Sequence, residues 1–506
     1  MRSASRREDV RGVIVSDGLP YLLVVLIIWS VFMGGCASLS TAQIPPAPEA
    51  LWQPPDLRHY TTELKRPESP ILDREKRYEL VELIDLAERV NPETRVAWER
   101  ARQAAAVVGL AASEYFPILV LHASAGGQSI PFPIPTNVVP EGVFRADNLL
   151  FNPTLALRWL LFDFGSRRAT FTAATEHLLA ANLGFNHKHQ QIVFTVQQSF
   201  YALTSTRARI AVARAALESA STVQAATEER LKRGLATLPE ASLARQQAVQ
   251  AAFDLEDVLA KERDAQVTLA QSIGIPPTTP IQVADFSKLP LPTALEESVE
   301  QVIDRALEQR PDLIAQVALL RAKEADIRRA RAEFWPKLSL TADVGGVLAS
   351  LRIQASGLST GWLTETEPTY GAKLTMDWPL FEGGARRHQL EVAEAEHRAA
   401  EGELEDARDK AISQVWQAYT EVKLAISRLE VAAALIEASQ QSYDATLDSY
   451  RLGLGTLIDL LAARRELSRA QFVELETKVH VLTAAAALAF ASGDLGQSLL
   501  TGTPMR

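Results

Sequence analysis

Apolar and polar positions along this chain change their period several times, and the changes come twice in the same order. From about Glu93 to Phe116 the chain reads as a helix, ended by Pro117, which disfavours helix in the residue before it. Strict alternation follows. Leu119, Leu121, Ala123 and Ala125 stand opposite Val120, His122 and Ser124, and Leu155, Leu157, Trp159 and Leu161 stand opposite Thr154, Ala156 and Arg158. A Gly/Pro-rich loop over 126–153 separates the two strands. Next comes a long helical stretch, about Ser166 to Arg233, a break at Gly234, and a second helix, about Thr237 to Ser272. The second half predicts helices at about Asp312–Trp335, Ala385–Arg451 and Thr456–Ser492, with a loop over 345–369 between its strands. There Leu338, Leu340, Ala342 and Val344 oppose Lys337, Ser339, Thr341 and Asp343, while Leu374, Met376, Trp378 and Leu380 oppose Lys373, Thr375 and Asp377.

The two halves are copies. Leu83 to Gly274 matches Val302 to Gly493 at a constant offset of 219 residues. Tyr115-Phe116-Pro117 answers Phe334-Trp335-Pro336, Leu161-Phe162-Asp163 answers Leu380-Phe381-Glu382, and Arg167-Arg168 answers Arg386-Arg387. Lys232, Gly234, Thr237 and Glu240 answer Arg451, Gly453, Thr456 and Asp459. A period this long is no solenoid; it is a duplicated half-protein. The divisions follow: 1–35 a leader, 36–74 an extended Pro-rich N-terminus, 75–274 and 302–493 the repeats, 275–301 a linker and 494–506 a short tail.

The helices are too long for a globular core. Residues 167–230 would reach roughly 96 Å at 1.5 Å per residue. The helices 93–116 and 237–273, laid end to end, match that length. Each half is therefore a pair of rods, one continuous and one broken, as coiled-coil assemblies and tunnels use.

A strand with one apolar face needs that face buried. Two readings are open: a small antiparallel sheet packed on helices, or a membrane wall. The faces carry Lys, Arg or Asp opposite Leu and Trp, as a lipid-facing barrel with a wet lumen requires. Four strands cannot close, and an open edge in lipid leaves backbone groups unsatisfied. A membrane wall must then be shared, and a three-fold ring would contribute twelve strands. Trp159 and Trp378 would sit near a membrane–water interface.

The 506 residues are 47% apolar, 23% charged and 7% aromatic, rich in helix formers. A net charge of −10 without a basic block beyond the N-terminus argues against nucleic-acid binding. The one cysteine, Cys36, excludes an internal disulfide. It follows four arginines, an apolar run from Leu19 to Phe32, and Met33-Gly34-Gly35. That run is below the roughly 20 residues of a spanning helix. It resembles a bacterial lipoprotein signal, with Cys36 lipidated, although Met33 stands where Leu is usual. An ordinary signal peptide, or an uncleaved anchor with an incidental cysteine, is the alternative.

Phe-Trp-Pro-Lys-Leu-Ser-Leu at 334–340, Trp-Pro-Leu-Phe-Glu-Gly-Gly at 378–384 and Tyr-Arg-Leu-Gly-Leu-Gly-Thr-Leu-Ile-Asp-Leu-Leu at 450–461, with the two-fold repeat, resemble the TolC-type outer membrane factors over about residues 75–496. The resemblance implies a mainly α fold with a small β part: a trimer with a periplasmic α-barrel of twelve helices and a twelve-strand β-barrel in the outer membrane. It implies a lipid-anchored exit duct for small molecules, extending into the periplasm and partnered by a periplasmic adaptor and an inner-membrane pump. The hairpin tips, with Lys232, Arg233, Gly234, Thr237, Arg451, Leu452, Gly453 and Thr456, would meet the adaptor. Asp459 matches a position that lines the periplasmic constriction in relatives, where Ala462 replaces a second acid of some members. Gly165, Gly383 and Gly384 would turn strand into helix, supplying positive φ. A protein-secretion duct uses the same architecture. A lipid-anchored coiled-coil scaffold without a pore is a third reading, disfavoured by the four alternating strands.

No catalytic chemistry is expected, and no cofactor or metal. Gly357-Leu358-Ser359-Thr360-Gly361 fits G-x-S-x-G but lies in a predicted loop rather than a strand–helix corner. His187 and His189 are two apart and point apart on a helix. P-loop, CxxC and HExxH patterns are missing.

Overall fold

A computed structural model describes residues 72, 73, 75–138, 142–284, 291–355 and 358–495. The leader, Cys36 and nearly all of the N-terminal and C-terminal tails lie outside these residues. In chain order the elements are β1 (Arg77–Tyr78), α1 (Leu80–Val90), α2 (Pro92–Ser113), β2 (Ile118–Pro133), β3 (Val143–Phe162), α3 (Ser166–Lys232) and α4 (Leu238–Ile273). They continue with β4 (Gln282–Val283), α5 (Val299–Gln309), α6 (Pro311–Ala332), β5 (Lys337–Ala355), β6 (Leu358–Ser359), β7 (Leu363–Asp377), α7 (Ala385–Arg451) and α8 (Leu457–Ser492).

The rods are as long as their patterns promise. α3 and α7 hold 67 residues each, or about 100 Å. α2 and α6 stop at Ser113 and Ala332, three residues short of Phe116 and Trp335. Their last turns tighten instead: Phe116 N–H donates to the Ser113 carbonyl at 3.0 Å, and Trp335 N–H to the Ala332 carbonyl at 3.1 Å. Such i→i−3 bonds satisfy terminal carbonyls that the proline leaves without helical donors.

Two helices were not foreseen from the period. α1 and α5 have 11 residues each, too short to show many turns. Each begins with a capping box, Glu79 with Glu82 and Ser298 with Gln301, a signal present in the sequence. α5 starts inside the stretch read as linker, which also supplies β4, paired in parallel with β1.

The large sheet runs β2–β3–β5–β7, all antiparallel, with β6 added to the end of β5. Its strands hold 16, 20, 19 and 15 residues, well beyond the ~9–11 that a bilayer needs. The segments 126–153 and 345–369, expected as loops, are therefore mostly strand. Glycine and proline there do not end the ladder, because pairing continues through Gly127↔Leu149 and Pro131↔Arg145. A Cβ at Gly345 would collide with the Pro153 carbonyl, so the close approach of β3 and β5 requires glycine.

One expected strand end moves. Leu380 and Trp378 lie past β7, which stops at Asp377 opposite Lys337. The partner strand begins there, after Pro336, and Pro379 has no N–H to offer a ladder. On β3 the register also shifts between Leu160 and Phe162, so Leu161 leaves the clean alternation.

The helices stand in the order of the strands. Near the sheet α2 packs on α3, α3 on α6 and α6 on α7; farther away α4 packs on α3, α3 on α8 and α8 on α7. Midway, α1, α3, α4, α8 and β4 close a core around Leu83, Leu203, Leu269, Ile273 and Val196, all nearly inaccessible to solvent.

Candidate functional site

Three places hold the residues singled out in the sequence: the strand–helix corners, the hairpin tips and the free edges of the sheet. At the corners Gly165 (φ 94°) and Gly384 (φ 87°) cap α3 and α7 in the left-handed region, and Gly383 has φ 67°. The place of Gly383 is taken in the first half by Phe164, at φ 52°, a conformation that costs an L-residue roughly 1–2 kcal/mol. Its ring lies 4.7 Å from Phe162 and stacks at 5.2 Å on Trp335, contacts that offset the backbone cost.

Trp159 and Trp378 are positioned by hydrogen bonds as well as by their half-exposed rings. Trp159 Nε1 donates to the Tyr115 carbonyl at 3.0 Å and Trp378 Nε1 to the Phe334 carbonyl at 3.2 Å. These carbonyls lie in the short turns that lead from α2 into β2 and from α6 into β5, so each indole ties the end of one strand to the turn entering its sheet neighbour. Sequence reasoning noticed Arg167 and Arg386 but gave them no role. Arg167 pairs with Asp163 and donates to the carbonyls of Glu114, Leu160 and Leu161. Arg386 repeats this with Glu382 and the carbonyls of Glu333 and Pro379. The readable signal was an acid four residues before each arginine.

At the far end both tips close alike. Gly234 (φ 72°) and Gly453 (φ 76°) follow the helices; Leu235 N–H returns to the Arg230 carbonyl at 2.8 Å, and Leu454 N–H to the Ser449 carbonyl at 2.9 Å. This is a helix stop built on left-handed glycine. Thr237 and Thr456 then cap α4 and α8. Lys232 and Arg233 both reach Glu229, and Arg451 reaches Asp448 at 3.5 Å, all on exposed surface. Around them Leu452 and Leu454 are 75% and 82% exposed, with Leu235, Leu238 and Ile458 also open to solvent.

Asp459 is exposed, and its carboxylate accepts from the Thr456 hydroxyl at 2.6 Å and the Thr456 N–H at 3.3 Å. Glu240 does the same for Thr237, and these hydrogen bonds hold its carboxyl below the usual range. A contact that the sequence did not suggest joins the two tips: Arg230 Nη1 donates to the Tyr450 hydroxyl at 2.8 Å. Leu231 and Ser449 occupy the matching places, so a break in the repeat was the available signal.

His187 and His189 turn to different partners, Asp312 at 4.0 Å and Glu88 at 3.4 Å. Ser359 lies in β6, a strand rather than the expected loop, and its hydroxyl donates to the Thr360 carbonyl. Neither motif is assembled into a site.

The third place is the sheet's margin. β2 and β7 each have one edge without a strand partner among the described residues. β2 is exposed along its whole length, including Ile118, Leu119 and Leu121, and on β7 Tyr370, Leu374 and Met376 are exposed. No described helix is long and apolar enough to cross a membrane.

The outer membrane efflux protein family matches residues 83–275 and 302–494, once per repeat. Protein CyaE of Bordetella pertussis is 28% identical over 445 residues, spanning 86% of this chain and 88% of the relative. Pyoverdine export outer membrane protein OpmQ of Pseudomonas putida is 25% identical over 425 residues, spanning 82% and 86%. The solved outer-membrane channel OprN superposes with a TM-score of 0.70 at 20% identity, over 85% of this chain and 99% of that one. With the duplicated rods, the four-stranded sheet and a family match in each repeat, the chain belongs to the outer membrane efflux protein family.

Proposed function

We propose that three copies of this chain close into one outer-membrane exit duct, which passes small molecules outward while an inner-membrane pump supplies the energy and a periplasmic adaptor joins the two. The observation that carries this reading is the matched order of strands and helices. β2, α2 and α4 lie at one margin of the chain, and β7 and α7 at the other. β7 runs antiparallel to β2, so β7 of one copy can pair with β2 of the next and continue the alternation. Twelve strands closed in this way leave no edge in lipid.

The rods bear the same marks. Both have 67 residues, yet α3 buries eighteen of them within the chain and α7 only six. α3 has neighbours on both sides, whereas α7 has them on one. Val392, Trp416, Val431 and Leu435 of α7 are left exposed, and a neighbouring copy would cover them.

Lipidated Cys36 would anchor the assembly to the membrane. The exposed leucines at the tips, framed by Lys232, Arg233 and Arg451, form the adaptor surface. Thr237, Thr456, Gly234 and Gly453 shape that surface. Three copies of Asp459 brought together at the narrow end would favour cations. The Pseudomonas putida relative, a pyoverdine export outer membrane protein, supports a small-molecule cargo. The test is conductance of the purified protein in a planar bilayer, with its mass measured in the same detergent. Stepwise conductance from a trimer is expected; a folded, silent monomer would overturn the reading.

A further inference from the structure

The internal joint between the two repeats is built from residues that recur in both repeats. Where α3 meets α8, the Arg209 guanidinium lies 5.3 Å from the centre of the Phe472 ring. Close by, Arg464 Nη2 on α8 donates to the Ala215 carbonyl on α3 at 3.3 Å. The repeat offset carries Arg209 to Arg428, Ala215 to Ala434, Phe472 to Phe253 and Arg464 to Arg245. All four residue types are retained, so both faces of the joint are written twice in the chain.

Within one copy only the first set meets. The second set has Phe253 and Arg245 on α4 and Arg428 and Ala434 on α7, at opposite ends of the helix order. The exposures differ accordingly. Phe472 is half-buried, and Phe253 is 70% exposed. Val212 is half-buried, and its counterpart Val431 is exposed. Arg428 reaches Glu421 at a loose 4.0 Å. On α4 one exposed helix face carries Arg245, Val249 and Phe253. Its occupant is thus specified by the chain's own repeat.

We propose that α7 of one copy packs on this α4 face of the next, with Arg428 over Phe253 and Arg245 donating to the Ala434 carbonyl. The proposal rests on the three-copy reading above and names its joint. A cation over an aromatic face is attractive and geometrically selective, and the arginine-to-carbonyl bond sets the register along the rods. The apolar stem of Arg428 and exposed Val431 lose water on the same face.

The test uses the full chain in the outer membrane. Phe253→Cys and Arg428→Cys are combined and treated with a short bismaleimide. Covalent dimers and trimers on a denaturing gel are expected, because α4 and α7 of one copy stand apart. Phe472→Cys with Arg209→Cys, treated alike, should remain at monomer size. Arg245→Cys with Ala434→Cys is a second inter-copy pair should the first variant fail to assemble. Trimer mass in detergent without covalent multimers from either pair overturns the joint and leaves the three-copy reading standing. Monomer mass of the unaltered protein overturns both.

Discussion

Arg167 and Asp163 form an ion pair of 3.0 Å, both side chains less than a tenth exposed, at the corner where the first repeat turns from sheet to rod. The guanidinium also donates to the carbonyls of Glu114, Leu160 and Leu161. Arg167→Ala would strand a buried carboxylate, and losing one partner of such a pair costs about 3–5 kcal/mol. The second-repeat pair, Arg386 with Glu382, is more open to solvent, and Arg386→Ala should cost markedly less. Urea unfolding of the two variants in detergent measures the difference; equal losses would show that burial does not set the cost.

Phe164 allows the backbone to be separated from the rings. Phe164→Ala and Phe164→Gly both lose the contacts to Phe162 and Trp335. Glycine relieves the positive φ, and alanine does not. Phe164→Gly should therefore be the more stable variant by about 1 kcal/mol, measured by thermal unfolding.

The bond between Arg230 and Tyr450 ties α3 to α7 at the tips. It is solvent-exposed, so its removal in Tyr450→Phe should cost about 1 kcal/mol or less. The visible effect should be on opening: larger or more frequent conductance steps in a planar bilayer, without a change in trimer mass. Unaltered steps would show that this contact does not govern conductance.

Cap and charge can be separated at the head of α8. Thr456→Ala removes the cap, worth about 1 kcal/mol, and should speed amide exchange at the tip while leaving the carboxylate charge in place. Asp459→Asn keeps an acceptor for the Thr456 hydroxyl and removes the charge. It should shift ion preference away from cations in bilayer recordings. Unchanged preference would place Asp459 off the ion path.

His187 supplies a pH dependence. Burial holds its pKa below the ordinary histidine value, opposed by Asp312 and aided by Arg310 and Lys188. The folded chain therefore binds a proton there less readily than the unfolded chain does. This contribution to stability is complete above about pH 6.5 and is lost as pH falls through the lower folded value. His187→Gln should flatten that part of a stability–pH curve; an unchanged slope would assign it elsewhere.

How much of this was legible follows from what kind of interaction specifies each feature. The 67-residue rods, the tip glycines Gly234 and Gly453, and the caps at Thr237 and Thr456 are local. They depend on residues within a turn or two, so period and punctuation expose them. The duplication was legible for the same reason, since a constant offset needs no coordinates. The strand lengths were not. Gly126-Gly127, Pro131 and Pro153 read as loop, yet a ladder of backbone bonds between β2, β3, β5 and β7 carries straight through them.

The sequence by itself determined the repeat, the rods and the turns, because the 3.6-residue period, proline and left-handed glycine act through neighbours along the chain. Only the tertiary structure decided which partners distant residues find. Trp159 meets the Tyr115 carbonyl, Arg230 meets Tyr450, and Arg209 meets Phe472, whereas its copy Arg428 reaches Glu421. Those pairings depend on how the rods lie side by side. That arrangement is set by burial summed over all of them and not by any single stretch of sequence.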